Sequence, residues 1–159
     1  MTSTLLPPFI GAVGLLVAVI IYAIVRRYDA GSAELVKIAD AIHEGAMVFM
    51  KREYTMLAIF AVVLLIGVAF TPGLGENTAI AFLAGALSSA CAGWFGMYTA
   101  TQANVRTTAA AHSQGQAEAL TVAFYGGSIM GLAVASLGLM GLGLVYLYFG
   151  NDPESAHHI

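Results

Sequence analysis

The sequence predicts an all-α fold: a multi-pass bundle of four transmembrane helices, with an amphipathic cytoplasmic helix between the first two. Three observations carry this. Of 159 residues, 59% are hydrophobic and 9% charged, against roughly 25% charged in an average soluble domain. Four apolar runs approach or exceed the ~20 residues that cross a bilayer as a helix. All six basic residues sit in connections on one side. Arg26, Arg27, Lys37, Lys51 and Arg52 lie between the first and second runs, and Arg106 between the third and fourth. Basic connections stay cytoplasmic, so both termini are expected outside.

The first run covers about 9–25, after the Pro7–Pro8 pair. Its charges, Arg26 and Arg27, follow the apolar core, whereas a signal peptide carries them ahead of it; a retained anchor is expected. Between Leu35 and Met50, apolar residues recur at Leu35, Ile38, Ala39, Ile42, Ala46, Phe49 and Met50, opposite Glu34, Lys37, Asp40, Glu44 and Lys51. That 3.6-residue stripe reads as an amphipathic helix along the inner face or running directly into the second span. The second span covers about 54–70 and stops at Thr71-Pro72-Gly73. The third covers about 79–99, with Asn77 or Thr78 available as its cap. The small, polar 103–119 stretch carries the chain past the lipid, turning at Gly115. The fourth span covers about 120–149, before Gly150-Asn151-Asp152-Pro153. Its Tyr125 and Tyr146 stand about 31 Å apart at ~1.5 Å per residue, matching an aromatic belt at both membrane edges.

Small residues repeat at four-residue spacing: Gly85, Ser89 and Gly93 on the third span, Gly127, Gly131 and Ala135 on the fourth. Such ridges let membrane helices approach closely, and both helices are expected to be buried against several neighbours. That is more close-packing surface than four spans use, so the chain is expected to oligomerise or to belong to something larger.

Chemistry is harder to find. No Asp, Glu, Lys, Arg or His falls within the four spans, although ion pathways commonly need one there. Glu53 and Glu118 lie at the inner edges and Glu76 in the outer turn. His43-Glu44 lacks a second ligand at helical spacing, and His157-His158 is an adjacent pair in the tail; each histidine reads as solvated rather than metal-bound. Cys91 has no intrachain partner and reads as a core filler. Gly126-Gly127-Ser128 lacks the lysine of a phosphate-binding loop. No basic stripe marks a nucleic-acid surface. No catalytic, cofactor-binding or metal-binding residue is assigned.

Particular strings go further. The run from Lys37-Ile38-Ala39 through Ala41-Ile42-His43-Glu44-Gly45-Ala46 to Phe49-Met50-Lys51-Arg52-Glu53-Tyr54 resembles the first inner segment of the membrane-bound, ion-translocating pyrophosphatases. Gly85-Ala86-Leu87-Ser88-Ser89 with Ala92-Gly93-Trp94-Phe95-Gly96-Met97 is similar to their third helix, and Ala100-Thr101-Gln102-Ala103-Asn104-Val105-Arg106-Thr107 to its end. Ala119-Leu120-Thr121-Val122-Ala123-Phe124-Tyr125-Gly126-Gly127-Ser128-Ile129-Met130-Gly131 resembles the start of the fourth helix, and Asp152-Pro153-Glu154-Ser155-Ala156 the outer connection after it.

The resemblance implies a cell-membrane (inner-membrane) protein of roughly sixteen helices, usually a homodimer. It would couple hydrolysis of inorganic pyrophosphate, presented with Mg2+, to proton export, with sodium as second candidate. The family's aspartate-rich motifs have no counterpart here, so this chain reads as a single membrane segment, the N-terminal four-helix part of the outer ring, inactive alone. The expected partners are the lipid bilayer, the remaining helices of the pump and a second copy. Within that frame, Arg106 either anchors an inner helix end or pairs with an acid on a further helix. The alternative is a complete four-span protein, such as a rotary-ATPase proteolipid or a structural helical module. The proteolipid, like a small multidrug exporter, needs a mid-membrane carboxylate.

Overall fold

The computed structural model describes residues 5–71 and 75–150, with the side chains of 75 and 76 excepted. The Pro72-Gly73 breaker, the Glu76 side chain, the Asp152–Ala156 string and His157-His158 lie outside the described residues. Four helices follow in order: α1 (Leu6–Val25), α2 (Ala33–Phe70), α3 (Gly75–Ser113) and α4 (Gln116–Phe149). All four are long and apolar enough to cross a membrane. At ~1.5 Å per residue, α1 is about 30 Å long, near the hydrocarbon thickness, whereas the others reach about 50–58 Å. Three helices therefore project well beyond the apolar layer.

Local chemistry sets the joins. Pro7 and Pro8 occupy the first turn of α1, where a missing N–H costs nothing. After Val25, Asp29 Oδ1 accepts the Gly31 N–H at 3.0 Å. Gly31 has φ +87°, and a Cβ there would lie 3.0 Å from that of Ala109. The α1–α2 connection is thus drawn across α3. Ser32 caps α2, its Oγ accepting the Leu35 N–H at 3.4 Å. As expected, the chain reverses at Gly115, φ +96°, where the Gln114 and Gly115 amides both donate to the Ala110 carbonyl at 2.8 and 3.0 Å.

The 35–50 stretch and the second span form one unbroken helix, α2. Its inward line differs from the expected stripe. Met50 is buried and Leu35, Ala39, His43 and Ala46 are half-buried, while Ile38, Ile42 and Phe49 are more than half exposed. At the other join, Asn77 and Thr78 lie inside α3 rather than at its cap.

The helices form a row, α1–α4–α3–α2. Helix α4 packs along both α1 and α3; α2 touches α3 alone among the described elements. The α1–α4 approach is close because a Cβ on Gly11 would stand 2.6 Å from the Ser136 carbonyl oxygen, and one on Gly143 2.6 Å from Pro8. At the α3–α4 crossing, a Cβ on Gly126 would stand 2.6 Å from the Ala103 methyl. The packed face of α4 is Val122, Gly126, Ile129, Ala133, Ser136 and Gly143.

That face corrects the ridges read from sequence. Gly85, Ser89, Gly127, Gly131 and Ala135 are exposed, and no side chain would meet a Cβ on Gly85, Gly127 or Gly131 within 4 Å. Among the ridge glycines, Gly93 is the one at which a Cβ would come within 4 Å of another helix. The packed line of α4 instead steps by four and three residues in turn, through Val122, Gly126, Ile129, Ala133 and Ser136, on a different face from 127, 131 and 135. Cys91 is likewise exposed, not core. The buried line of α3 runs through Ala92, Gly96, Thr99 and Ala103, which turns Cys91 away. Tyr125 packs on the cluster of Ala18, Val25, Ala103 and Ile129, so ordinary packing accounts for it; Tyr146 is 45% exposed.

Candidate functional site

Polar side chains gather along α3 between Tyr98 and Arg106, where it packs on α2 and α4. On α3, Thr99, Thr101 and Arg106 are buried. The Thr101 hydroxyl donates its single proton to the Tyr98 carbonyl at 2.9 Å. Its oxygen also lies 2.7 Å from His43 Nδ1 on α2, so that nitrogen is the donor. The His43 ring meets Tyr98 edge-on, centroids 5.3 Å apart, a favourable aromatic geometry. The Tyr98 phenol in turn interacts with that of Tyr22 on α1. One chain of contacts therefore links α2, α3 and α1.

A second bond fixes the same pair of helices. The Tyr54 hydroxyl donates to the Ala90 carbonyl at 2.8 Å, passing over Gly93, where a Cβ would collide with that hydroxyl. The step from His43 to Tyr54 equals the step from Ala90 to Thr101, so both contacts hold one antiparallel register. His43 corrects the sequence reading, which left it solvated. The sign available in the sequence was its place on the line Leu35, Ala39, His43, Ala46, Met50.

Arg106 Nη1 donates to the Gln102 carbonyl at 2.7 Å and to Gln102 Oε1 at 3.2 Å. Its Nε is buried without a hydrogen-bond partner, and no ion pair to Arg106 occurs among the described residues. It lies on the α3 line of Ala103, Ala109 and Ala110, all buried. Nearby, Tyr28 packs on Ala110, Ala119 and Val122. The Glu118 carboxylate first, and then partial burial, raise the Tyr28 pKa above the ordinary tyrosine value.

The other singled-out residues bring no chemistry together. Glu53, Glu44 and His112 are exposed, and Gly126-Gly127-Ser128 lies mid-α4, with Ser128 Oγ donating to the Phe124 carbonyl at 2.7 Å. Among the described residues no three of His, Cys, Asp and Glu are close enough to hold a metal ion. The donor set here does not fit a magnesium–pyrophosphate complex, and no catalytic step is drawn through these residues.

Helices of this length and hydropathy, packed through glycine, are those of a chain able to cross a membrane four times. A family model, inorganic H+ pyrophosphatase, matches residues 12–159, and the chain belongs to that family. It is 40% identical over 144 residues to the K(+)-insensitive pyrophosphate-energized proton pump of Methanosarcina mazei, covering 91% of this chain and 21% of that protein. To the putative K(+)-stimulated pyrophosphate-energized sodium pump of Clostridium tetani it is 43% identical over 145 residues, covering 91% and 21%. To the K(+)-stimulated pyrophosphate-energized sodium pump of Thermotoga maritima it is 42% identical over 130 residues, covering 81% and 18%. The chain thus spans about one fifth of the length of these relatives.

Proposed function

We propose that these helices are the N-terminal part of a membrane pump coupling inorganic pyrophosphate hydrolysis to proton transport, with sodium as second candidate. The family match over residues 12–159 carries this reading. Relatives named as proton pumps and as sodium pumps are matched at similar identity, so ion choice is left to experiment. The basic connections face the cytoplasm by the charge rule. The projecting, polar half of α2 is the amphipathic cytoplasmic segment, and both chain termini lie outside the cell membrane. Mg2+ and pyrophosphate are held by segments other than this one, and the assembled pump is a homodimer. Here the four helices act as scaffold: α4 braces α1 and α3, while His43 and Tyr54 fix α2 against α3.

Inverted membrane vesicles bearing the full-length protein that contains this sequence test the reading. Pyrophosphate with Mg2+ is expected to acidify the lumen, reported by a pH-sensitive dye and collapsed by a protonophore. Hydrolysis without any ion movement overturns the coupling. Sodium uptake that survives the protonophore moves the reading to the second candidate.

A further inference from the structure

The Arg106 guanidinium is an unbalanced buried charge. The residue is 9% exposed, both of its hydrogen bonds return to Gln102 on its own helix, and its buried Nε has no partner. A guanidinium carries a fixed charge with donors in a planar fork. Burying such a charge without a counter-charge is strongly unfavourable. Gln102 occupies Nη1 alone and leaves the guanidinium without an anionic acceptor.

We propose that Arg106 is the docking point for a carboxylate on a segment of the pump outside this chain. This rests on the reading that these helices are part of a larger pump. Among the described residues no carboxylate pairs with Arg106: its hydrogen bonds go to Gln102, and Glu44 and Glu53 are exposed on α2, which packs on α3 alone. The acceptor is a side chain rather than a diffusing phosphate. Arg106 lies on the packed line of α3 between Ala103 and Ala109, and an anion leaving at each turnover would strand the cation each time. A carboxylate arriving with its own helix stays, and it supplies acceptors matching the fork.

The test uses the full-length protein in detergent, reading its melting temperature and its pyrophosphate hydrolysis separately. Arg106→Met is expected to lower the melting temperature by about 5 °C or more, because it strands the partner carboxylate; Arg106→Lys lowers it less. Single Asp→Asn and Glu→Gln changes beyond residue 159 are then combined with Arg106→Met. One carboxylate is expected to recover at least half of the lost shift. Recovery by no carboxylate, or by one within residues 1–159, overturns the proposal. So does a melting temperature that rises with inorganic phosphate or magnesium pyrophosphate in wild type but not in Arg106→Met, which would assign the site to phosphate. Wild-type protein that melts normally but fails to hydrolyse pyrophosphate defeats the pump reading instead, since thermal coupling to Arg106 is read without activity.

Discussion

His43 Nδ1 on α2 lies 2.7 Å from the Thr101 hydroxyl on α3, which itself donates a hydrogen bond to the Tyr98 carbonyl. This pair, with the bond from Tyr54 to Ala90, supplies the polar contacts by which α2 is held. The long apolar half of α2 contributes little, since none of its most hydropathic stretch is buried.

Thr101→Val is expected to remove one interhelical hydrogen bond and cost ~0.5–1.5 kcal/mol. A double-mutant cycle with His43→Ala, read by thermal unfolding in detergent, should show coupling between the two. Strict additivity would mean that the contact contributes nothing.

Gly93→Ala is expected to push the Tyr54 hydroxyl off Ala90. The same change in a Tyr54→Phe background should be milder, since the colliding atom is gone, and the single and double variants compared by unfolding give the sign directly. Equal penalties in both backgrounds would mean that Gly93 serves some other approach.

Gly11→Val should cost ~1–3 kcal/mol by overpacking the α1–α4 crossing, because its Cβ would meet the Ser136 carbonyl at 2.6 Å and backbone cannot yield as a side chain does. Gly131→Ala, with open space around it, is expected to be neutral or to stabilise this chain by up to ~1 kcal/mol through helix propensity. Proteolysis rates of the two variants in bilayers would separate them.

The Tyr28 pKa is raised above the ordinary tyrosine value, first by the Glu118 carboxylate. The neutral phenol is the form favoured by folding. Its stabilisation is therefore complete below pH ~10 and lost as pH rises through the raised folded value. Tyr28→Phe is expected to remove that alkaline loss, leaving a flatter stability profile above pH ~10. An unchanged profile would show that Glu118 does not hold the Tyr28 phenol neutral in solution.

The sequence carried the helix count and the Gly115 reversal, because apolar length and a left-handed glycine are local properties. The rotation of each helix was not local. Gly126 and Gly127 are indistinguishable by composition, and only Ala103 arriving from α3 selects Gly126. His43 was lost for a similar reason: its partner Thr101 is far along the chain, and one apolar stripe cannot say which of its edges meets another helix. Arg106 was read as either an anchor or a pairing cation, and its burial leaves the question of a counter-charge in sharper form.

The spatial row puts the first helix beside the fourth. During synthesis α1 enters the bilayer and meets its main neighbour after all of α2 and α3 have been made. At about 5–20 residues per second, the intervening ~90 residues take several seconds. Through that interval Gly11 and Gly14 face lipid instead of Ser136, and α2 has left the ribosome without anything to lean on but α3. A chaperone or insertase that shelters glycine-faced helices would find its client in this window, well before any active site exists.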